Sequence, residues 1–342
     1  MEQITTIGLD LAKRIFQAHG TDESGRAVVK ARLLRGQVEP FFAQVPPCLV
    51  AMEACSGAHH WARRLQALGH DVRLVPPSRV KPFVGRQKND AADAAAIATA
   101  ARHPDTRFAA VKSEAQQALL LDHRTRDLLI RQRTMLVNAL RGHLAEFGIV
   151  FAAGLGGART LVAHVENGEA LNAIPPAAHP ALRTLAAGVR GLSHEIKAIE
   201  ARLKAARAQD PQVKRLMSIP GIGIVTATAL AATVPDANLF RSGRDLAAWL
   251  GLVPRQFSSG GKTRLGGVSK MGDRTIRRLL FQGAVAAIHW ERRKPEFASS
   301  WLGRLVGRKP MRLAAMAYAN KMARIAWALM TRGEEYRRSP AA

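Results

Sequence analysis

Short apolar runs separated by turn residues open the chain. The segments ITTIGLDLAK, RIFQAHG and AVVKARL have strand-like patterns, and TDESGR between the last two is typical of a hairpin turn. CLVAMEAC predicts a further strand that ends near Glu53, just as the first predicted strand ends at Asp10. These segments predict a sheet that begins with a hairpin.

Helices then alternate with strands. In GAHHWARRLQALGH, Trp61, Leu65 and Leu68 share one face before a glycine stop, and DVRLVPP is another short strand. NDAADAAAIATAAR is an alanine-rich helix that Asn89 opens. The alternation of helices and strands indicates an α/β domain over residues 1–110.

The middle of the chain, residues 111–209, has a helical pattern. An apolar stripe interleaved with arginines predicts one long amphipathic helix that begins at Glu114. Residues 148–180 contain Gly, Ala and Pro and are predicted to be irregular. Apolar residues then recur at alternating spacings of three and four: Leu182, Leu185, Val189, Leu192, Ile196, Ile199, Leu203 and Ala206. This heptad seam predicts a coiled coil, either between chains or as a helical hairpin within one chain.

Residues 210–342 are predicted to form a mostly helical C-terminal domain. The segment MSIPGIGIVTATALAATV places Gly221 and Gly223 in a tight turn, as in a helix-hairpin-helix, whose backbone N–H groups can bind a phosphate. A tight interhelical turn without a ligand would use the same glycines. Further along, Arg274, Arg277 and Arg278 can line one helix face.

The charge balance adds a partner to this outline. The 342 residues contain 51 Lys and Arg against 26 Asp and Glu, which gives a net charge of +25. Residues 241–342 hold 21 of the basic and 6 of the acidic residues, so 15 of the 25 excess charges lie there. Because 47% of the chain is hydrophobic, we expect a folded protein of two or three domains that binds a polyanion, namely nucleic acid.

Membrane and secreted classes do not fit the sequence. No run reaches the ~18 consecutive apolar residues of a membrane span. The first residues have neither the basic region nor the apolar run of a signal peptide. Two cysteines, Cys48 and Cys55, are too few for a disulfide framework or a four-ligand zinc site. We therefore expect a cytoplasmic, reduced protein without a membrane partner.

Four acidic residues of the first domain suit a metal site. Asp10 and Glu53 end predicted core strands, and Asp90 and Asp93, three residues apart, share one helix face. Two Mg²⁺ ions about 3.5–4 Å apart can serve phosphodiester chemistry, and such ions need carboxylate oxygens from several elements. The alternative is structural, with Asp90 and Asp93 favouring a helix N-terminus and Asp10 acting as a turn residue.

A basic, glycine-containing segment, PRQFSSGGKTRLGG, carries adjacent hydroxyl groups at Ser258 and Ser259. Its glycines would let the backbone approach DNA, and Arg255, Lys262 and Arg264 would bond phosphate oxygens. A serine hydroxyl can attack a phosphodiester. A mobile basic loop without a catalytic role explains the same residues.

Together these motifs resemble the DEDD-type insertion-sequence transposases, and within them the bridge-RNA-guided recombinases that contain a catalytic serine. The resemblance rests on GLD, MEACSGAHHWARRL, KNDAADAAAIA, SIPGIG and GLVPRQFSSGGKTRLGGVSKMGDRTIRRLL, which keep the family's order over nearly the whole chain. It implies an N-terminal RNase H/RuvC-like domain, a coiled coil, and a C-terminal transposase domain with a helix-hairpin-helix.

The resemblance also implies roles for single residues. The family's four acids fall on Asp10, Glu53, Asp90 and Asp93, which would hold Mg²⁺, and its catalytic serine falls on Ser259. The implied partners are donor and target DNA, a structured guide RNA, and further copies of the chain in a dimer or tetramer. The residues expected to contact nucleic acid are Gly221, Gly223, Arg255, Ser258, Lys262, Arg264, Lys270, Arg274, Arg277 and Arg278.

Three functions are compatible with these features. The first is a guided DNA recombinase, and the second is a RuvC-like, metal-dependent, structure-specific endonuclease in which the serine is incidental. A covalent protein–DNA adduct would separate the two, because an endonuclease that uses water leaves none. The third is a non-enzymatic nucleic-acid scaffold, which explains the charge but not the acidic residues.

Overall fold

The computed structural model describes residues 3–85 and 89–337, so Lys88 at the start of the KNDAADAAAIA motif lies outside the described residues. The chain divides into two compact units, Met1–Ala115 and Gln116–Ala342. The finer division into three domains, residues 1–110, 111–209 and 210–342, stays a prediction. Within the part of the chain that is described, no helix has the length and apolarity to cross a membrane.

A five-stranded mixed sheet forms the centre of the first unit. Its strands are β1 (Thr6–Asp10), β2 (Ile15–Thr21), β3 (Ala27–Leu34), β4 (Leu49–Glu53) and β5 (Asp71–Val75). Their order across the sheet is β3-β2-β1-β4-β5. The strands β1, β4 and β5 are parallel, whereas β2 is antiparallel to both β1 and β3. The strands predicted from the apolar runs are all present.

Helices cover the sheet of the first unit. They are α1 (Val38–Gln44), α2 (Ala58–Ala67), α3 (Pro77–Val80) and α4 (Asp90–Arg102). In α2, Trp61 and Leu65 are buried against the sheet residues, as their spacing predicts. The side chain of Asn89 accepts a hydrogen bond from the amide of Ala91 at 3.0 Å and so caps α4. The mixed α/β fold predicted for this part of the chain is confirmed.

The second unit is mostly helical, as predicted. Its helices are α5 (Glu114–Ala145), which begins at the end of the first unit, α6 (Gly154–Glu166), α7 (His179–Gln209), α8 (Pro211–Met217), α9 (Ile224–Thr233), α10 (Gly243–Trp249), α11 (Arg274–Glu291), α12 (Trp301–Arg308) and α13 (Met311–Arg332). Acidic residues of α5 hold neighbouring helices through ion pairs: Asp122 contacts Arg202 of α7, and Asp127 contacts Arg278 of α11, both at 2.6 Å.

The heptad seam of α7 packs inside the chain. Val189, Ile196, Ile199 and Leu203 are buried, and α7 contacts α6, α8 and α9. This packing agrees with an arrangement within one chain, and a coiled coil between chains stays a prediction. The long helix α5, by contrast, exposes Leu121, Leu128 and Met135.

Two segments differ from their predicted structure. Residues 148–180 are not irregular throughout, because they include α6. Glycines occupy the start of this helix, and Leu161 and Val165 further along are buried at helical spacing. The segment PRQFSSGGKTRLGG is not a simple loop either. It contains the strand β6 (Pro254–Gln256) and all but the last residue of the antiparallel strand β7 (Leu265–Val268), and the polar residues of β6 and the glycines of β7 hide the strand pattern.

Candidate functional site

Two carboxylates lie at the same edge of the sheet in the first unit. Asp10 is the last residue of β1, and Glu53 is the last residue of β4. The two strands are parallel neighbours, with Leu9 opposite Met52. Both acids therefore stand at the carboxyl ends of adjacent strands, as the strand pattern predicts.

Helix α4 brings two more acids to Asp10. It packs directly on β1 at Gly8, where a Cβ atom would overlap the carbonyl oxygen of Ala94. Asp90 and Asp93 occupy the first turn of this helix. Carboxylate oxygens of Asp10, Asp90 and Asp93 all lie within 4.8 Å of one another, and we call these three residues the carboxylate cluster.

The electrostatics of the carboxylate cluster favour a cation. Burial raises the pKa of Asp10 from 3.8 to about 6, and the negative charges of Asp93, Asp90 and Glu53 act in the same direction. Stabilisation of a helix N-terminus accounts for Asp90 and Asp93, but it gives no reason to place a half-buried third carboxylate against them. Carboxylate oxygens that converge from a strand and a helix fit a hard divalent ion such as Mg²⁺.

Glu53 borders the carboxylate cluster without being part of it. Over residues 3–85 and 89–337, the group of acids that meet within 4.8 Å contains Asp10, Asp90 and Asp93 but not Glu53. The pKa of Glu53 is raised by burial and then by the charge of Asp93, so the two acids influence each other. The structure thus brings three of the four predicted ligands together and places the fourth beside them.

A cysteine at this edge of the sheet was not singled out from the sequence. Cys55 is exposed and follows Glu53 by two residues. Its sulfur is nevertheless partly desolvated, and this partial burial, followed by the charges of Glu53 and Asp10, raises the pKa of its thiol. The sequence does contain a signal for Cys55, namely its position just after the acid that ends a predicted strand. Counting the cysteines alone does not reveal this signal. The other cysteine, Cys48, is buried, and burial raises its pKa to about 11.

The two serines lie in the turn of the β6–β7 hairpin and differ in their contacts. The Oγ of Ser258 accepts hydrogen bonds from Nε2 of Gln256 at 3.0 Å and from the amide of Arg264 at 3.3 Å. Ser259 is exposed, and its carbonyl oxygen accepts a hydrogen bond from the amide of Lys262 at 3.1 Å. Gly260 and Gly261 have φ values of 54° and 76°, which permit the tight turn. Ser258 therefore braces the hairpin through its side chain, whereas Ser259 is an exposed residue of the turn.

The basic residues around the hairpin fall into two groups. Arg277 donates to the carbonyl oxygens of Leu250 and Met271 at 2.9 and 2.6 Å, and Arg278 pairs with Asp127, so both side chains support the fold. Arg278 is exposed despite this ion pair, and the other exposed basic residues here are Arg255, Lys262, Arg264, Lys270 and Arg274. Lys270 has a φ of 56°, a left-handed conformation that non-glycine residues seldom adopt.

The predicted phosphate-binding turn lies between α8 and α9, and its two glycines have different surroundings. Gly221 has a φ of 91° and packs against the backbone of Gly283 in α11, so its lack of a side chain serves packing. Gly223 precedes α9 as its N-terminal cap, is exposed, and has open space around it. The turn is present, and phosphate binding by it stays a prediction.

Known sequences supply the remaining evidence. Residues 7–149 match the sequence model of the DEDD transposases of IS110 type, and residues 213–299 match that of the transposase IS116/IS110/IS902 family. A probable family 20 transposase of Pseudomonas aeruginosa is 47% identical over 98% of this chain and 99% of its own length.

Two relatives are named for insertion sequences. The transposase for insertion sequence element IS1328 of Yersinia enterocolitica is 40% identical over 97% of this chain and 98% of its own length. The transposase for insertion sequence element IS1111A of Coxiella burnetii is 39% identical over 98% of this chain and 92% of its own length. With a carboxylate cluster on a mixed sheet, a basic helical second unit and relatives that match over at least 92% of their length, the chain belongs to the IS116/IS110/IS902 family of insertion-sequence DNA transposases.

Proposed function

We propose that this transposase cuts and rejoins DNA strands with Mg²⁺ held by Asp10, Glu53, Asp90 and Asp93. The observation that carries the proposal is the carboxylate cluster, whose oxygens meet within 4.8 Å in a chain of net charge +25. A negative site would repel the phosphate that it must approach unless a cation lay between them. The strand order of the first unit supports an RNase H/RuvC-like assignment for its fold.

The chain's own residues would divide the work at this site. Asp10 supplies a ligand from a rigid strand, and Asp90 and Asp93 supply ligands from the capped first turn of α4. Glu53 stands beside them at the end of the neighbouring strand. When bound, Mg²⁺ would stabilise negative charge on the phosphate and assist the departure of an oxygen.

Ser259 is the proposed nucleophile. Its oxygen forms a bond to phosphorus while a bond from phosphorus to a deoxyribose oxygen breaks, and that leaving oxygen gains a proton as the serine loses one. Attack by a deoxyribose hydroxyl on the phosphoserine ester reverses the step and joins the strand to a new end. The exposure of Ser259 and the nearby basic residues Arg255, Lys262 and Arg264 support this role.

The experiment compares single substitutions in a strand-cleavage assay with Mg²⁺. Asp10→Asn is expected to abolish cleavage while DNA binding remains. Ser259→Ala is expected to abolish recombination and any protein–DNA adduct that survives denaturation, whereas Ser258→Ala, the matched control, retains both at a reduced level.

Peptide mapping of the trapped adduct identifies the nucleophile. A link to Ser258 would move the reaction by one residue. Cleavage without any serine adduct would support the RuvC-like endonuclease instead, because that reaction uses water. Cleavage by Asp10→Asn at the parental rate would refute the metal site.

We also propose that the chain acts as a homo-oligomer guided by a structured RNA. Leu121, Leu128 and Met135 of α5 are 64%, 46% and 68% exposed at intervals of seven residues, the repeat of a coiled coil. Replacing all three by Glu is expected to lower the particle mass in light scattering without lowering the melting temperature. An unchanged mass would remove α5 as the pairing surface.

A further inference from the structure

A groove of about 390 Å³ lies in the first unit next to the carboxylate cluster. One wall is formed by β2 and β3, where its polar lining residues are Gln17, His19, Lys30 and Arg32. The other wall is the first part of α4, which contributes only the short side chains of alanines 91, 92 and 95. The sequence does not predict this groove, because its residues are ordinary members of two predicted strands and of an alanine-rich helix.

The strand register places the groove on the same face of the sheet as Asp10. Asp10 is opposite Gln17, and Gln17 is opposite Arg32. Residues directly opposite each other on antiparallel strands project to the same face. Because strands are about 4.8 Å apart, this row of side chains extends roughly 10 Å from β1 to the edge strand β3.

A second row runs parallel to the first. Gly8 is opposite His19, and His19 is opposite Lys30. At Gly8 the sheet touches α4 directly, so the face is closed there. The groove opens beyond this contact, toward β3, and it therefore leads from the acids at the start of α4 to the edge of the sheet.

The groove contains positive charge that the described part of the chain does not neutralise. Lys30 and Arg32 are exposed, and neither forms an ion pair with a carboxylate of residues 3–85 or 89–337. Gln17 and His19 are half-buried and offer hydrogen-bonding atoms between the cations and the sheet. Two cations and two polar groups along a track are the chemistry that binds a phosphodiester backbone.

We propose that this groove binds the sugar-phosphate backbone of the DNA strand that is cut, next to the phosphodiester at the carboxylate cluster. Lys30 and Arg32 contact its phosphates, and Gln17 and His19 bond to it from the floor. The proposal rests on the proposed function of the cluster. Charged side chains on an edge strand also prevent edge-to-edge association, so exposure of Lys30 and Arg32 has a structural explanation that the experiment must separate.

The test measures how binding of a labelled single-stranded DNA oligonucleotide depends on salt, with Ca²⁺ in place of Mg²⁺ so that the strand stays intact. Each lost phosphate contact reduces the slope of log K against log salt by about 0.7. We expect Arg32→Gln to lower the slope by one such step and Lys30→Gln/Arg32→Gln by two. Arg73→Gln, which removes a cation from β5 at the opposite edge of the sheet, leaves the slope unchanged.

Further outcomes decide between the explanations. The pair Lys30→Arg/Arg32→Lys keeps both charges and is expected to restore parental binding. A parental slope in Lys30→Gln/Arg32→Gln overturns the proposal, as does a loss seen with an RNA oligonucleotide but not with DNA. These results are independent of cleavage by Asp10→Asn, so a failure of the metal site and a failure of the groove are distinguished.

Discussion

Asp10 is a single ionisable group on which burial and three other carboxylates act together. Its pKa is raised from 3.8 to about 6, so the folded state favours the protonated carboxyl. A raised pKa in the folded state means that the contribution of Asp10 to stability is complete below pH 4 and is lost as the pH rises through 6. At neutral pH without a cation, Asp10 therefore lowers the free energy of unfolding.

This argument predicts that Asp10→Asn stabilises the metal-free protein at pH 7. The shift corresponds to about 3 kcal/mol, and solvent screening of a half-exposed group reduces this to roughly 1–2 kcal/mol. Thermal unfolding in a chelator measures the difference, which should vanish at pH 4, where Asp10 is protonated. Added Mg²⁺ should stabilise the parent more than the variant. A less stable Asp10→Asn protein at pH 7 would contradict the electrostatic account.

The sequence predicts the positions of some site residues but not the contacts of others. The positions of Asp10 and Glu53 can be predicted because the apolar pattern of a strand shows where the strand ends. The role of Asn89 can be predicted because few residue types are preferred at the N-terminal cap of a helix. The difference between Arg274, which is exposed, and Arg277, which binds two carbonyl oxygens, depends on distant backbone. Periodicity does not contain that information.

At the scale of elements, the contact of β1 with α4 positions the carboxylate cluster. Gly8 lets the helix approach, because a Cβ atom there would lie 2.6 Å from the amide nitrogen of Ala98. We predict that Gly8→Ala displaces α4, destabilises the protein by about 1–3 kcal/mol, and reduces cleavage beyond the loss of stability. Gly36→Ala is the matched control, since no atom lies within 4 Å of its added Cβ. Equal cleavage by both variants would show that α4 need not approach so closely.

Element boundaries followed from the sequence better than element partners did. The heptad seam of α7 correctly predicts a buried stripe, but the pattern is the same whether a stripe packs on its own chain or on another. The sequence does not predict the β6–β7 hairpin, because β6 is short and exposed and β7 is glycine-rich, so no apolar alternation marks either strand. Tertiary contacts decide both cases.

At the scale of the whole molecule, net charge governs the encounter with nucleic acid. A charge of +25 predicts strong, largely electrostatic RNA binding. The logarithm of the binding constant should fall steeply and linearly with the logarithm of the salt concentration. A guide must add specificity to this background. We predict that the DNA beside the gene encodes a structured RNA, and that this RNA outcompetes random RNA of equal length at every salt concentration in a competition assay. Equal affinity would argue against guidance.

The exposed thiol of Cys55 gives the protein an internal reporter of cation occupancy. Because partial burial of the sulfur, and then the charges of Glu53 and Asp10, raise its pKa, the thiol is mostly protonated and reacts slowly with an alkylating agent such as iodoacetamide. A divalent ion that neutralises those acids would lower the pKa and accelerate the alkylation. Cys48 is buried and contributes no background. Measuring the alkylation rate at increasing Mg²⁺ concentrations would thus give the affinity of the site for the ion without any DNA or RNA substrate. An alkylation rate that Mg²⁺ leaves unchanged would show that the ion binds elsewhere.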